Sequence, residues 1–376
     1  MKKIALINPA SPFLMVDGDR PCLGLAYLAT EVRKDNEVQI FDFAVENQET
    51  LLKELINYEP AIIGFTATTP VFYQAVTLLQ KIKNMATFKF ISVIGGVHAS
   101  VLPKSCLEYF DYVFMGEGEK TFSAFCNGHS YVEGNFVHSC SVDIDGLMPA
   151  RDLLPMEKYN MQLDGERCTT IITSRGCPYN CIFCSSILGK KVRLNSAENV
   201  VREIKDIITN DNITNFYFLD DVFTWSKKRV LDICDWIKAD GLDIKFRATT
   251  RINLVDERVL GALAGAGCKM VCYGLESGSN RVLKAYNKGF TVEDIRRVVK
   301  ATKQAGIGIK AFWLKSELET EDEKKATLDL IDELQLQQND LYNLTAYPGS
   351  KIWKEKHGDN EYFTAEFFKN CYHGGK

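Results

Sequence analysis

The sequence predicts an α/β protein: an N-terminal Rossmann-like, doubly wound parallel sheet, followed by a second series of six βα units. Three observations carry this. Over residues 1–125 short, nearly continuous apolar runs alternate with amphipathic stretches, the pattern of parallel strands covered by helices on both faces. Residues 126–165 break that rhythm and are turn-rich without a helical period, as expected of a connection between domains. The alternation then resumes at about residue 169 and runs to residue 349.

In the first stretch the strands are KKIALINP, EVQIFDF, AIIGFTAT, FKFISVIGG and DYVFMGEGE. Helical segments separate them: LGLAYLATEVRKD, ETLLKELINYE, PVFYQAVTLLQKIKN and a weaker one after Gly96. Ligands of such sheets bind at the carboxyl ends of the strands. Here those ends are Asn8, Asp42, Thr66, Gly95 with Gly96, and Gly116-Glu117-Gly118, where glycine permits close backbone approach. No G-x-G-x-x-G follows the first strand, which argues against a dinucleotide site.

The second series offers TTIITSRG (169–176), NFYFLDD (215–221), KFRATTR (245–251), MVCYGLES (270–277), GIKAFWLK (308–315) and LYNLTAYPG (341–349) as strands. Amphipathic segments such as SAENVVREIKDIITN and TVEDIRRVVKATKQAG lie between them. Serial βα units build an open sheet or a barrel, and in a barrel the strand ends converge on one mouth. Those ends carry Asp220 and Asp221, Arg251, Glu276 and Ser277, Tyr347-Pro348-Gly349 and a cysteine-rich loop. The acidic run ETEDEKK (319–325) reads as a solvated helix start.

The chain has 376 residues, 46% hydrophobic, enough for one large core or two ordinary ones. Its 45 basic and 49 acidic residues leave a net charge of −4, with no electrostatic footprint for nucleic acid. No apolar run approaches the roughly 18 residues of a membrane span. The opening MKKIALINPASPF reads as a first strand and not as a signal peptide, so a soluble, cytoplasmic protein is expected. In that setting twelve cysteines argue for metal or redox chemistry before disulfides. Cys22, Cys106, Cys234, Cys272 and Cys371 stand singly in apolar surroundings and read as small buried hydrophobes.

Residues 173–186, TSRGCPYNCIFCSS, differ: Cys177, Cys181 and Cys184 are spaced C-x3-C-x2-C. A structural zinc would need a fourth ligand. Cys168 is carried by the first strand to its opposite end, and His138 lies in the connection. A redox pair of Cys181 and Cys184 would leave Cys177 without a purpose. Three thiolates suit a 4Fe–4S cluster with one iron left open for a small molecule.

This spacing, with Phe183 before the last cysteine on the loop after the first strand, resembles the radical S-adenosylmethionine (SAM) superfamily over residues 169–349. The resemblance implies a partial, TIM-like (β/α)6 barrel and a 4Fe–4S cluster on Cys177, Cys181 and Cys184. It further implies that SAM, chelated to the open iron, is cleaved reductively to methionine and a 5′-deoxyadenosyl radical. Carried over position by position, Phe183, Asp220, Asp221, Arg251, Glu276 and Ser277 become SAM contacts: Asp220 and Asp221 at the amino group, Arg251 at the carboxylate and Glu276 at the ribose. Asp220 and Asp221 read equally as a helix cap. The G-x-P-G-E-T turn usual after strand five is replaced by FWLKSELET, with Lys315 near the mouth or in solvent, so a remodelled wall is expected there. Cys268 and Cys272, near strand four, are the only candidates for a radical quencher.

The stretches PCLGLAYLA, IIGFTATTP, IGGVHAS and FMGEGEKTF make residues 1–125 resemble the cobalamin-binding subgroup of that superfamily. The domains implied are a cobalamin-binding-like sheet (1–125), a linker (126–165), a radical SAM core (166–350) and a tail (351–376). The resemblance assigns cobalamin contacts to Asn8, Thr66, Gly95, Gly96, His98, Gly116 and Glu117. D-x-H-x-x-G is absent, so no histidine is secured as a cobalt ligand, and His98 caps a helix or meets a cofactor edge. Methyl transfer to carbon or phosphorus of a small-molecule (natural-product or lipid) intermediate is the activity implied. Rearrangement or oxidation beside a sheet without cobalamin is the alternative. A flavodoxin or ferredoxin is the expected reductant, with no nucleic-acid or membrane partner. A tRNA methylthiotransferase would need three further clustered cysteines and an RNA-binding module, but Cys22, Cys106, Cys126 and Cys140 are scattered. A non-catalytic iron–sulfur protein would not need the polar strand ends.

Overall fold

The computed structural model describes residues 1–11, 18–129, 134–139 and 141–358. Cys140 and Cys371 lie outside this set. The chain divides into two compact units, Met1–Asp143 with Leu147–Asn160 and the residues from Lys354 on, and Ile144–Gly146 with Met161–Trp353.

The first unit runs β1 (Lys3–Asn8), α1 (Leu23–Val32), β2 (Glu37–Asp42), α2 (Gln48–Tyr58), β3 (Ile62–Thr66), α3 (Phe72–Met85), β4 (Ile91–Gly95), α4 (Val97–Val101), α5 (Pro103–Leu107), β5 (Tyr112–Met115), α6 (Glu119–Cys126) and β6 (Phe136–His138). Its six strands are parallel, in the order β2-β1-β3-β4-β5-β6. The alternation of strand side chains builds two cores. Ile4 and Leu6 pack with Leu25, Phe114 and Phe122 on the α1 and α6 side. Ala5 and Ile7 pack with Leu55, Phe65, Phe72 and Ile94 on the opposite side. Apolar residues on both faces explain why these strands read as unbroken runs. The chain leaves β1 in one direction to β2 and returns across it to β3. That reversal is the topological switch point where ligands of such sheets bind, outside the carboxyl ends of β1 and β3.

The segment expected as a plain linker contributes β6, which pairs with β5 through Val113–Phe136 and Met115–His138. Three residues are too few to show an alternation in sequence. The weak helix after Gly96 is two short helices, because Pro103 lacks the N–H that would carry α4 through.

In the second unit β7 (Gln162–Leu163) pairs antiparallel with β8 (Glu166–Ile171). A short pair follows, β9 (Ser174–Arg175) and β10 (Arg193–Leu194). The remaining elements are α7 (Ala197–Asp211), β11 (Asn215–Phe218), α8 (Lys227–Ala239), β12 (Lys245–Thr250), α9 (Glu257–Gly265), β13 (Cys268–Glu276), α10 (Asn280–Ala285), α11 (Val292–Gln304), β14 (Gly308–Lys315), α12 (Glu321–Leu334), β15 (Gln338–Asn343) and α13 (Lys351–His357). The sheet order β15-β14-β13-β12-β11-β8-β7 keeps the six main strands parallel and in chain order, with no reversal. Serial winding of this kind is that of a barrel. Here it stops at six strands, because β15 pairs only with β14 among the described residues. Side-chain caps set the helix starts, as Ser196 for α7, Ser226 for α8 and Asp256 for α9. Thr291 with Asp294 and Thr320 with Glu323 form reciprocal capping boxes on α11 and α12. The ETEDEKK run is the start of α12. No helix among the described residues is long and apolar enough to cross a membrane.

Gly96, between β4 and α4, has φ +88°, and a Cβ there would fall 2.7 Å from Thr66 Oγ1 and 3.2 Å from the Ala67 nitrogen. Gly96→Ala is expected to cost about 1–3 kcal/mol of stability. A chemical denaturation series checks this, and an unchanged midpoint would refute the tight approach.

Candidate functional site

The predicted first strand, 169–176, is shorter than its sequence implied. β8 stops at Ile171, and the chain turns out through Thr173 and Ser174. The cause is Asp220, 2% exposed, whose carboxylate accepts from the Thr173 nitrogen (2.6 Å) and hydroxyl and from the Ser174 nitrogen (3.0 Å). Arg229, also buried, donates to the Thr173 carbonyl at 2.7 Å and balances the Asp220 charge. Burial still holds the Asp220 carboxyl above its ordinary range, against the pull of Arg229 and Thr173. Asp220 therefore ties the strand end and has no free oxygen for a ligand, whereas Asp221 beside it is exposed. Only the second of the two predicted aspartates faces outward.

From that turn the chain enters the cysteine loop. Gly176 has φ +93°, and a Cβ would lie 2.5 Å from the Lys191 carbonyl oxygen, so only glycine lets the two loop arms pass. The Cys177 nitrogen donates to Gly189 O (3.1 Å) and the Cys184 nitrogen to Cys181 O (3.1 Å). The loop is clasped from outside as well. The Ile182 nitrogen reaches Tyr286 O, the Ile352 nitrogen reaches Ile182 O at 3.1 Å, and the Ser185 hydroxyl donates to Pro348 O at 2.8 Å. The Tyr347-Pro348-Gly349 turn thus braces the loop.

All three thiols are free and none is fully buried. They lie close enough for Cys181 and Cys184 to help, after burial, in raising the Cys177 thiol. Cys168 supplies no fourth ligand. It pairs with Asn215 at the amino end of the sheet and packs against Met161 and Leu163. Three thiolates without a fourth protein ligand suit a cluster with one iron left open better than a structural zinc.

Around the loop stands a network that sequence reasoning only partly found. Arg251 stacks on Tyr179 (3.8 Å), donates to Cys181 Sγ at 3.3 Å and also donates to the Lys288 carbonyl. Its guanidinium is thus held beside the cysteine loop. Lys288 Nζ pairs with Glu276 Oε1 at 2.9 Å, with only 5% and 8% of the side chains exposed. Glu276 has φ +68°, a left-handed conformation unusual for glutamate, where β13 slips register against β14. The Phe183 ring packs edge-on to Tyr286 at 5.6 Å and lies 5.7 Å from Lys288 Nζ. Ser277 is completely buried and spent on Thr327 (3.2 Å) and Glu319 (3.4 Å), so it offers nothing to a ligand. Lys288 was missed because its partner is twelve residues away, across α10. The one local signal is the N-K-G turn, with Asn287 and Gly289 both at positive φ. The altered loop after β14 is a tight turn closed by Glu319 on the Ser316 nitrogen (2.8 Å), and Lys315 is exposed.

In the first unit, the strand-end residues Asn8, Thr66, Gly95 and Gly96 are partly open and Gly116 is exposed. With the exposed Thr68 they form a rim of mostly small residues, which suits a bulky group laid against the strand ends. Two predicted contacts are not on that rim. His98 is fully buried, stacked 4.0 Å from the Phe72 ring, with Nε2 3.1 Å from the Ser105 hydroxyl. Glu117 is 8% exposed and accepts from the Val142 nitrogen at 2.7 Å. His98 is turned inward by α4 and Glu117 by its bond to the Val142 nitrogen, which the Gly-Gly and Gly-x-Gly contexts could not reveal. A group on the rim would receive no histidine from His98.

The family model of the radical SAM superfamily matches residues 171–331, and that of the B12 binding domain matches residues 13–126. An uncharacterised methyltransferase of Pyrococcus horikoshii is 34% identical over 98% of this chain and 86% of its own length. The chain belongs to the B12-binding radical SAM family, whose cofactors are a 4Fe–4S cluster, SAM and cobalamin. Cytidylyl-2-hydroxyethylphosphonate methyltransferase of Streptomyces wedmorensis is 24% identical over 94% of this chain and 81% of its own. Among solved structures, the cobalamin-dependent radical enzyme OxsB with aqua-cobalamin and SAM superposes with a TM-score of 0.80 at 21% identity, over 99% of this chain but 56% of that one. TsrM of Kitasatospora setae, with cobalamin and a [4Fe-4S] cluster, gives 0.74 at 19% identity, over 94% and 74%. This chain therefore spans little more than half the length of OxsB.

Burial depresses the His98 pKa from 6.5 to about 3. Between those values the unfolded chain binds one proton more than the folded one, so stability falls as pH is lowered through 6.5. From pH 7 to 5 the native protein should lose about 2 kcal/mol relative to His98→Leu. Urea denaturation at both pH values checks this; equal losses would mean that the folded imidazole takes up the proton.

Proposed function

We propose that this protein is a cobalamin-dependent radical SAM methyltransferase acting on carbon or phosphorus of a small-molecule intermediate. The observation that carries the reading is the clasped three-thiol loop at the carboxyl end of an open, serially wound parallel sheet. The names of the two similar methyltransferases above support the type of reaction. In this reading Cys177, Cys181 and Cys184 hold the cluster, leaving one iron for SAM. Asp221 and Glu276 are the acidic contacts for SAM, with Phe183 beside them. Arg251 steadies the Cys181 sulfur with a charge-assisted hydrogen bond. Lys288 holds the Glu276 carboxylate in place, so that its second oxygen can accept from a ribose hydroxyl. Asn8, Thr66, Gly95, Gly96 and Gly116 form the cobalamin rim. Bound together, these cofactors supply one-electron cleavage of SAM and carriage of a methyl group. A flavodoxin or ferredoxin is the proposed electron source.

Anaerobic reconstitution with iron, sulfide and hydroxocobalamin should give about four irons and one cobalt per chain. Dithionite and SAM should then yield 5′-deoxyadenosine. The triple variant Cys177→Ala, Cys181→Ala, Cys184→Ala should lose both the iron and that product. Retained iron and absorbance in the variant would overturn the ligand assignment, and four irons without cobalt would favour the alternative of rearrangement or oxidation.

A further inference from the structure

The second sheet has a helix-covered face and an inner face, and the inner face carries charge. On β12, Phe246, Ala248 and Thr250 are buried on the helix side, while Arg247 and Thr249 alternate with them on the other. Tyr217 of β11, Cys272 of β13, Lys310 of β14 and Asp340 of β15 belong to the same inner face. The Tyr217 hydroxyl lies 2.9 Å from Thr249 Oγ1, and the Cys272 thiol is within electrostatic reach of both Arg247 and Lys310. Tyr342 of β15 is within electrostatic reach of Tyr217, although three strands separate theirs in the sheet. The inner face is therefore concave.

The charges on that face do not balance. Lys310 and Asp340 neutralise each other at 2.7 Å, with 16% and 20% of their side chains exposed. Arg247 lies flat on Tyr217, its guanidinium carbon 4.2 Å from the ring centre. Its Nε is buried without a hydrogen-bond partner, and no carboxylate pairs with it among the described residues. The groups that feel its charge are Cys168 and Cys272, both thiols that burial keeps protonated. A guanidinium is a planar fork of donors that matches carboxylate and phosphate oxygens, and stacking on tyrosine fixes its orientation without using those donors. One positive charge thus stands on the inner face with its Nε unpaired.

We propose that the inner face of the half-barrel holds an oxyanion site, centred on Arg247, for a carboxylate or phosphate group of the substrate. This deepens the functional reading above and rests on it only in calling the occupant the substrate. With Tyr217 donating to Thr249 Oγ1, the Thr249 hydroxyl can add one neutral hydrogen bond to the same group, and the Lys310–Asp340 pair sets the background charge.

The full-length reconstituted protein, saturated with SAM, would be titrated calorimetrically with inorganic phosphate and, separately, with acetate, at low ionic strength to limit screening. One of the two should bind with unit stoichiometry, and which one names the anion. Arg247→Gln should weaken that binding about tenfold or more, and Arg247→Lys should weaken it less. Asp340→Asn, which releases Lys310, should strengthen it. A merely structural arginine would not produce opposite effects in the two charge variants. If Arg247→Gln fails to fold, Arg247→Lys and Asp340→Asn still decide. Binding of neither anion, or affinities indifferent to these changes, would overturn the proposal. Absent iron with Arg247-dependent anion binding would instead sink the radical reading while leaving the oxyanion site standing.

Discussion

The chemistry of this protein depends on a buried carboxylate that touches none of the cysteines. Asp220 takes the two backbone donors that β8 would otherwise have used to continue, and Arg229 holds it there. The chain must then leave the sheet, and the cysteine loop begins where it leaves. Arg229 and Asp220 are not in direct contact but feel each other's charge, so removing either leaves a buried charge without its counter-charge. The use of the carboxylate here is to define where a strand ends. Everything that clasps the loop, from the Tyr286 carbonyl to the turn at Pro348, acts on a segment whose exit point is already set.

The strands and helices were legible because they obey short-range rules. Apolar runs in β1, β3 and β13 and cap residues such as Thr320 act within a few positions, so one chain suffices to see them. The cysteine spacing was legible for the same reason. What sequence could not show was side-chain direction at the strand ends. Asp220 and Asp221 are adjacent, yet one is buried and the other exposed. His98 follows a glycine pair and still turns into the core beside Phe72, because α4 begins there. Ser277 and Glu117 lie on suggestive motifs and are consumed by contacts 25 or more residues away. Lys288 and Arg247 were invisible for the converse reason: each matters through a partner, or the lack of one, that the fold alone decides.

The two units solve different problems with the same strand type. In the first, both faces of the sheet are apolar and covered, so polar groups are confined to the strand ends. In the second, one face is covered by helices and the other is left to charged and hydroxylated side chains. Parallel strands usually bury both faces in apolar packing. A polar inner face must be stabilised by pairing, as Lys310 and Asp340 do, or by stacking, as Arg247 does on Tyr217.

Glu276 sits where two demands conflict. Its left-handed backbone is most at ease as glycine, or as asparagine. Its neighbour Lys288, buried at 4% exposure, requires an anion. Glycine would relax the backbone and strand the cation; alanine would fail on both counts; asparagine would suit the turn but carry no charge. Mutational tolerance at this position is consequently narrow in a way that neither burial nor conformation predicts alone. Evolutionary drift there would have to change two residues together.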